Sequence, residues 1–289
     1  MRPLSCLMFG VALVVFTGEV AAQAASNAVT VRPDASHPDS VSAPAPIQDN
    51  SFLVEEAYNQ DAGTVQHSSA FAHPLRGRDW TYSFTDEWAV RGQRHQLSAT
   101  IPLVHVDGTP SAAWGLGDVA LNYRYQVAGV DGGPIAVAPR LTLLVPTGRA
   151  SDGLGAGATG IQLMLPASFE LGSALVMHVN AGLTRVGHAD AVGRRTPTTM
   201  NYTLAHSFVW LAAERVNLLF ETTWNRVGII DDTGARGHEQ EILVSPGVRW
   251  SYDLPRHLQI VPGIAVPIGV GPSAGQRSLF FYLSFEHPY

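Results

Sequence analysis

The chain predicts an all-β fold: an up-and-down antiparallel transmembrane β-barrel of about 12 strands. Three observations carry that reading. The first is alternation. Val119, Leu121, Tyr123, Tyr125 and Val127 fall on one face of a strand, with Asp118, Asn122, Arg124 and Gln126 on the other. Ile135, Val137, Leu141, Leu143 and Val145 oppose Ala136, Ala138, Arg140 and Thr142, and Ile161, Leu163, Leu165, Phe169 and Leu171 oppose Gln162, Ser168 and Glu170. Side chains on a strand alternate faces, so each segment is apolar on one side and wet on the other. Each has the roughly ten-residue length of a tilted membrane-crossing strand.

The second observation is the spacing of the links. Strands are expected at 64–73, 80–89, 95–105, 118–127, 134–145, 161–171, 175–185, 200–211, 216–227, 240–252, 258–268 and 278–289. Long links (106–117, 146–160, 186–199, 228–239 and 269–277) alternate with short ones (128–133, 172–174, 212–215 and 253–257). In an up-and-down sheet successive links fall at opposite ends, so the long ones share one rim. That is the pattern of extracellular loops and periplasmic turns; a Greek-key sandwich has no reason to sort its links this way. An even strand count leaves both chain ends on the periplasmic side. Third, Trp80, Trp88, Trp114, Trp210, Trp224, Trp250, Tyr202 and Tyr252 fall mostly near strand ends, where aromatic girdles meet the membrane boundary.

The remaining stretches follow in order. Arg2, the apolar run Leu4–Phe16 and Ala22-Gln23-Ala24 form a secretory signal peptide over residues 1–24. Residues 25–49, rich in Ala, Ser, Pro and Asp, read as a disordered periplasmic linker. Residues 50–63 carry Phe52, Leu53, Val54 and Tyr58 beside Glu55 and Glu56 and form a separate N-terminal segment with room for one or two helical turns. The barrel then occupies 64–289. The sole cysteine, Cys6, lies in the leader, so the mature chain has no disulfide or thiol chemistry. All 18 basic residues are Arg, and a net charge of −6 argues against a nucleic-acid partner. A mean hydropathy of +0.08 fits strands whose apolar half is diluted by a polar half.

Ser51-Phe52-Leu53-Val54-Glu55-Glu56-Ala57-Tyr58-Asn59-Gln60, followed by Val65-Gln66-His67, resembles the opening of the MetA-pathway-of-phenol-degradation (transporter) family of outer-membrane proteins. Gly117-Asp118-Val119, Asn122-Tyr123-Arg124-Tyr125, Pro139-Arg140-Leu141, Pro146-Thr147-Gly148 and the end from Phe280 to Tyr289 are similar as well. The resemblance implies an exported barrel in the outer membrane of a Gram-negative bacterium. Such a barrel passes small hydrophobic or aromatic molecules and has outer-membrane lipid as a partner. Its last strand, ending on an aromatic, resembles the signal read by the barrel-insertion machinery.

Arg124, Arg140, Glu170, His178, Asn180, Glu221, Asn225 and Arg249 fall on the inward face. A base facing lipid near the midplane costs about 2–4 kcal/mol, so these residues are expected in the lumen. Two readings stand: a polar path for solute, or a self-neutralising network that only stabilises the barrel. Glu55, Glu56, Tyr58 and Asn59 are candidates for a small plug whose carboxylates meet lumen arginines; a periplasmic tail is the alternative.

An outer-membrane lipid hydrolase is the alternative reading, with His67 and Ser69 on one strand face. No third residue orients that histidine in sequence and no oxyanion motif follows, so the chain reads as a non-enzyme. No histidine spacing matches a metal-ligand set, and no cofactor is expected. The run Gly153–Gly160 lacks the Lys-Ser/Thr ending of a phosphate loop and reads as a mobile extracellular loop.

Overall fold

The computed structural model describes residues 50–288 apart from 109–110, 131, 188–189, 192–193, 196–197, 231–235 and 255–257. The leader and linker expected at 1–24 and 25–49 lie outside the described residues. The strands are β1 (Thr64–Pro74), β2 (Trp80–Ala89), β3 (His95–Val106), β4 in two pieces (Ala113–Leu116 and Val119–Tyr125) and β5 in two pieces (Ile135–Val137 and Arg140–Val145). They continue as β6 (Gly160–Glu170), β7 (Leu175–Val186), β8 (Thr199–Ala213), β9 (Val216–Ile230), β10 (Arg236–Trp250), β11 in two pieces (Leu258–Ala265 and Ile268–Gly269) and β12 (Ser278–Pro288). Each pairs antiparallel with its sequence neighbours. β12 returns to β1 in an unbroken register from Thr64↔Pro288 to Pro74↔Ser278, which closes the sheet. The result is a twelve-stranded antiparallel barrel. Closure removes the unpaired edges that a membrane cannot accommodate.

The alternation of sequence becomes the two surfaces of the wall. Leu141 is 48% exposed and Leu163 56%, whereas Arg140 and Gln162 beside them are buried. Exposed apolar residues of this kind ring the outside, where lipid rather than water meets them. Of the three interrupted strands, β4 breaks at Gly117-Asp118 and the other two break at proline. Pro139 has no N–H to give the ladder, and β5 bends there; Pro267 does the same in β11, where Val266 reaches across to the Pro246 carbonyl at 3.0 Å.

The strands differ from the sequence expectation at the long-link rim. β4 begins at Ala113, inside what sequence gives to the link, and pairs with β3 from Leu103↔Leu116 to Val106↔Ala113. β9 and β10 run on as a paired ribbon to Ile230↔Arg236. The added residues Arg236-Gly237-His238-Glu239 are exposed on both faces. Above the lipid both sides of a strand are wet, so the apolar alternation that marks a membrane strand disappears.

The link 146–160, which includes the run Gly153–Gly160 expected as an extracellular loop, packs against the wall. Leu154 is buried at 2% exposure. It lies on the inward-facing Gly115 and Gly117 of the β3–β4 wall, where a Cβ on Gly115 would come within 3.2 Å of the Leu154 side chain. Asp118 pins the link by accepting from Gly148 N at 3.0 Å and Ala156 N at 2.7 Å.

Candidate functional site

Residues 50–60 lie inside the barrel, at its short-link half, and are almost wholly buried. They form no regular helix, so the helical turns anticipated from their sequence are absent. Backbone polar groups buried without a helix or sheet need other partners. Here the partners are wall side chains, one strand after another. Phe52, Leu53 and Val54 donate three consecutive backbone N–H groups to a single Glu221 oxygen on β9, at 3.0, 2.8 and 3.2 Å. Such a run of N–H groups makes a small anion-binding concavity. Ser51 Oγ meets Ser207 Oγ of β8 at 2.6 Å. Asn180 on β7 copies a strand partner: it accepts from Glu55 N and donates to the Glu55 carbonyl, both at 2.7 Å. Ala57 N donates to Ser168 of β6 at 2.8 Å. Asn59 N and Gln60 N donate to Gln126 and Gln96 at 2.9 and 2.7 Å. The segment thus touches most of the lumen circumference.

Three arginines complete the attachment. Arg140 holds Glu55 in a two-pronged pair, Nε to Oε2 at 3.0 Å and a terminal nitrogen to Oε1 at 2.5 Å. Its other donors go to Asn122 at 2.9 Å, to Gln162 at 2.8 Å and to Thr142. A planar guanidinium suits this forked geometry. Arg124 gathers the segment's acceptors: Asn59 Oδ1 at 2.8 Å, the Glu56 carbonyl at 3.3 Å and the Tyr58 carbonyl. Arg249 donates to the Asn50 carbonyl at 2.5 Å and lies over the Tyr282 ring, 5.3 Å from its centroid.

Phe52 supplies the apolar anchor. Its ring packs 5.6 Å from the rings of both Phe280 and Tyr282. It sits in a dent made by two wall glycines: a Cβ on Gly247 or Gly263 would fall 2.7 or 2.5 Å from the ring. At the far end of the segment Gln93 donates to Asp61 Oδ1 at 3.1 Å, and burial raises the Asp61 carboxyl above its usual range.

Five of the eight inward candidates, Arg124, Arg140, Asn180, Glu221 and Arg249, therefore contact the segment directly. His178 contributes from behind. Ser168 Oγ accepts from Ala57 N and is hydrogen-bonded to His178 Nδ1 at 2.8 Å, while the His178 ring meets Tyr58 edge-on at 6.5 Å. Asn225 belongs to a separate group near the long-link rim, accepting from Thr203 at 2.9 Å and donating to Glu241 at 3.2 Å. Glu170 lies at the end of β6, next to the β6–β7 turn. Of the plug candidates, Glu55, Glu56, Tyr58 and Asn59 are all buried. Sequence reasoning did not single out Ser207, Ser168, Gln96 and Gln126 as anchors. Their only signal was a polar residue at an inward position, which many inward positions share.

The Glu55–Arg140 pair has a measurable consequence. Breaking a buried pair by removing one partner costs about 3–5 kcal/mol. Because the wall keeps its own ladder, that cost falls on the seating of the segment. Glu55→Ala should raise the open fraction in planar-bilayer recordings by at least about tenfold, since about 1.4 kcal/mol is a factor of ten. Adding Arg140→Leu, which removes the orphaned charge, should bring it back toward the parent value. An unchanged open fraction in Glu55→Ala would show that the pair does not hold the segment.

The serine–histidine pair considered for lipid hydrolysis is not assembled. His67 and Ser69 do share the outward face, and Asp86, unseen in sequence, orients His67 through Nδ1. Its Nε2, however, meets His287 Nε2 at 3.0 Å, and Ser69 Oγ pairs with the Tyr82 hydroxyl at 3.0 Å. Neither group is free to activate the other.

Against known proteins, no family model matches the chain and no curated protein matches it. Several solved structures are similar in fold. The chain is similar to the COG4313 outer membrane channel from Pseudomonas putida F1, at 12% identity over 81% of this chain and 98% of that one, with a TM-score of 0.59. The barrel shares its fold with an outer-membrane channel. Two weaker likenesses are to the KdgM porin (7% identity, 78% and 99% coverage, TM-score 0.48) and to the CymD monoaromatic hydrocarbon channel (11% identity, 79% and 89% coverage, TM-score 0.42).

Proposed function

We propose that the chain is an outer-membrane channel of a Gram-negative bacterium, without enzymatic activity, that passes small apolar or aromatic molecules and is closed at rest by residues 50–63. The observation that carries this reading is how the lumen is closed. The wall offers polar side chains, and the N-terminal segment uses them through separate hydrogen bonds, one buried ion pair and one aromatic seat. It shares no backbone ladder with the wall among the described residues. A closure built this way can leave while the barrel stays intact. A filler needed only for stability gains nothing from such separability. The fold shared with an outer-membrane channel supports the passive-transport class.

The apolar character of the solute rests on the resemblance of Ser51–Gln60 to the phenol-degradation transporter family. Outer-membrane lipid and the insertion machinery follow as partners from the apolar belt and the aromatic-rich last strand. The test is uptake of a labelled monoaromatic compound by cells with and without the chain. Uptake should rise several-fold with the chain present, while a neutral sugar of similar size gains little. Equal aromatic uptake in both strains would overturn the proposal.

A further inference from the structure

The outward surface at the long-link end of β7, β8 and β9 has a feature that the lumen reading does not use. A recess of about 260 Å³ is lined by Ala181, Gly182, Tyr202, Thr203, Leu204, Trp224 and Arg226. It arises from register. Leu204 stands opposite Ala181 on one side and Trp224 on the other, so a small residue sits beside two large ones and leaves a slot. One pleat higher, Tyr202 stands opposite Arg226. Arg226 faces His238, whose ring nitrogens lie 3.2 and 3.3 Å away, and Trp224 Nε1 donates to Gln240 at 3.1 Å. Exposed Arg185, opposite Met200, flanks β8 on the other side.

Height and charge indicate what fills the slot. Trp210, 53% exposed at the short-link end of β8, is eight residues from Tyr202 along the strand. At roughly 3.3 Å per residue and a tilt of about 40°, that is about 20 Å across the membrane, close to the full apolar band of about 25 Å. The recess therefore opens where acyl chains give way to headgroups. Below it lie apolar side chains, and above it lie Arg185, Arg226, Arg236 and His238. Among the described residues, the outward positions of β7 to β10 carry no carboxylate to neutralise them. Arginine at a membrane boundary is best satisfied by a phosphate, through forked hydrogen bonds.

We propose that this recess is a binding site for a phosphorylated, acylated lipid of the leaflet on the long-link side, with one acyl chain along Ala181, Leu204 and Trp224 and a headgroup phosphate on Arg226 and Arg185. The site is independent of solute passage through the lumen. The test uses the refolded full chain in detergent, probed with bis-phosphorylated lipid A and scored by native mass spectrometry. A one-to-one adduct should survive detergent removal. It should weaken about tenfold with dephosphorylated lipid and equally with Arg226→Gln plus Arg185→Gln. Ala181→Leu, which fills the slot and leaves the charges, should weaken it as well. Heat-modifiable gel migration shows that each variant is folded. Lipid retained equally by the arginine variants or without its phosphates would overturn the proposal. So would displacement by millimolar inorganic phosphate, which would mark a phosphate site with no lipid requirement.

Discussion

A chain lacking residues 26–61 should conduct ions at several times the level of the full chain in planar bilayers. Twelve strands about 4.8 Å apart and tilted about 40° enclose a backbone cylinder roughly 24 Å across. Inward side chains of about 5 Å on each side leave a lumen of about 14 Å unless something else occupies it. Residues 50–60 do so in the short-link half. Their removal strips partners from Glu221, Arg124, Arg140 and Arg249. In a water-filled lumen each of those groups is rehydrated rather than orphaned, so the wall should survive and fold. Among the described residues, the link 146–160 also packs inward, with Leu154 against Gly115 and Gly117 of the β3–β4 wall. Discrete, larger conductance steps after truncation are the expected result. Identical steps in both forms would mean that wall side chains and the link set the constriction, and the plug reading would fall.

The wall was far more legible in the sequence than the contacts inside it, and the difference has a physical origin. A lipid-facing strand must alternate because a base in the bilayer costs kilocalories; that penalty wrote Arg124, Arg140, Glu221 and Arg249 onto one side of their strands, where the structure has them. It lapses above the lipid, so the β9–β10 ribbon beyond Gln240 carries no alternation to read. Alternation also fixes only a face. That Glu221 caps the Phe52–Val54 turn while Asn225, two pleats away on the same face, pairs with Glu241 depends on height and on the path of a separate segment. That Asp86 orients His67 depends on the cross-strand register His67↔Asp86. The Gly247–Gly263 dent is a third case. Two glycines sixteen positions apart mean little until β10 and β11 are paired and Phe52 lies across them.

Ser51→Cys with Ser207→Cys should give a barrel whose passage is switched by redox state. The two hydroxyl oxygens are 2.6 Å apart and both residues are buried. A disulfide needs its sulfurs at about 2.05 Å, a small adjustment at this site. The only native cysteine, Cys6, lies in the expected leader and offers no competing partner. The bond would tie the segment to β8 one residue before the Phe52–Val54 turn that caps Glu221, so release of the turn and of the Phe52 ring would be blocked together. Aromatic uptake by cells carrying the oxidised variant should fall to the level of cells lacking the chain, and a membrane-permeable reductant should restore it. Each single-cysteine variant controls for the loss of the Ser51–Ser207 hydrogen bond, worth about 1 kcal/mol. Undiminished uptake in the oxidised form, with the disulfide verified by mass spectrometry, would show that solute passes while the N-terminal end of the segment stays seated. The route would then have to avoid displacement at Ser51–Val54, which leaves the Asn59–Gln60 end against β3 and β4 as the part that moves.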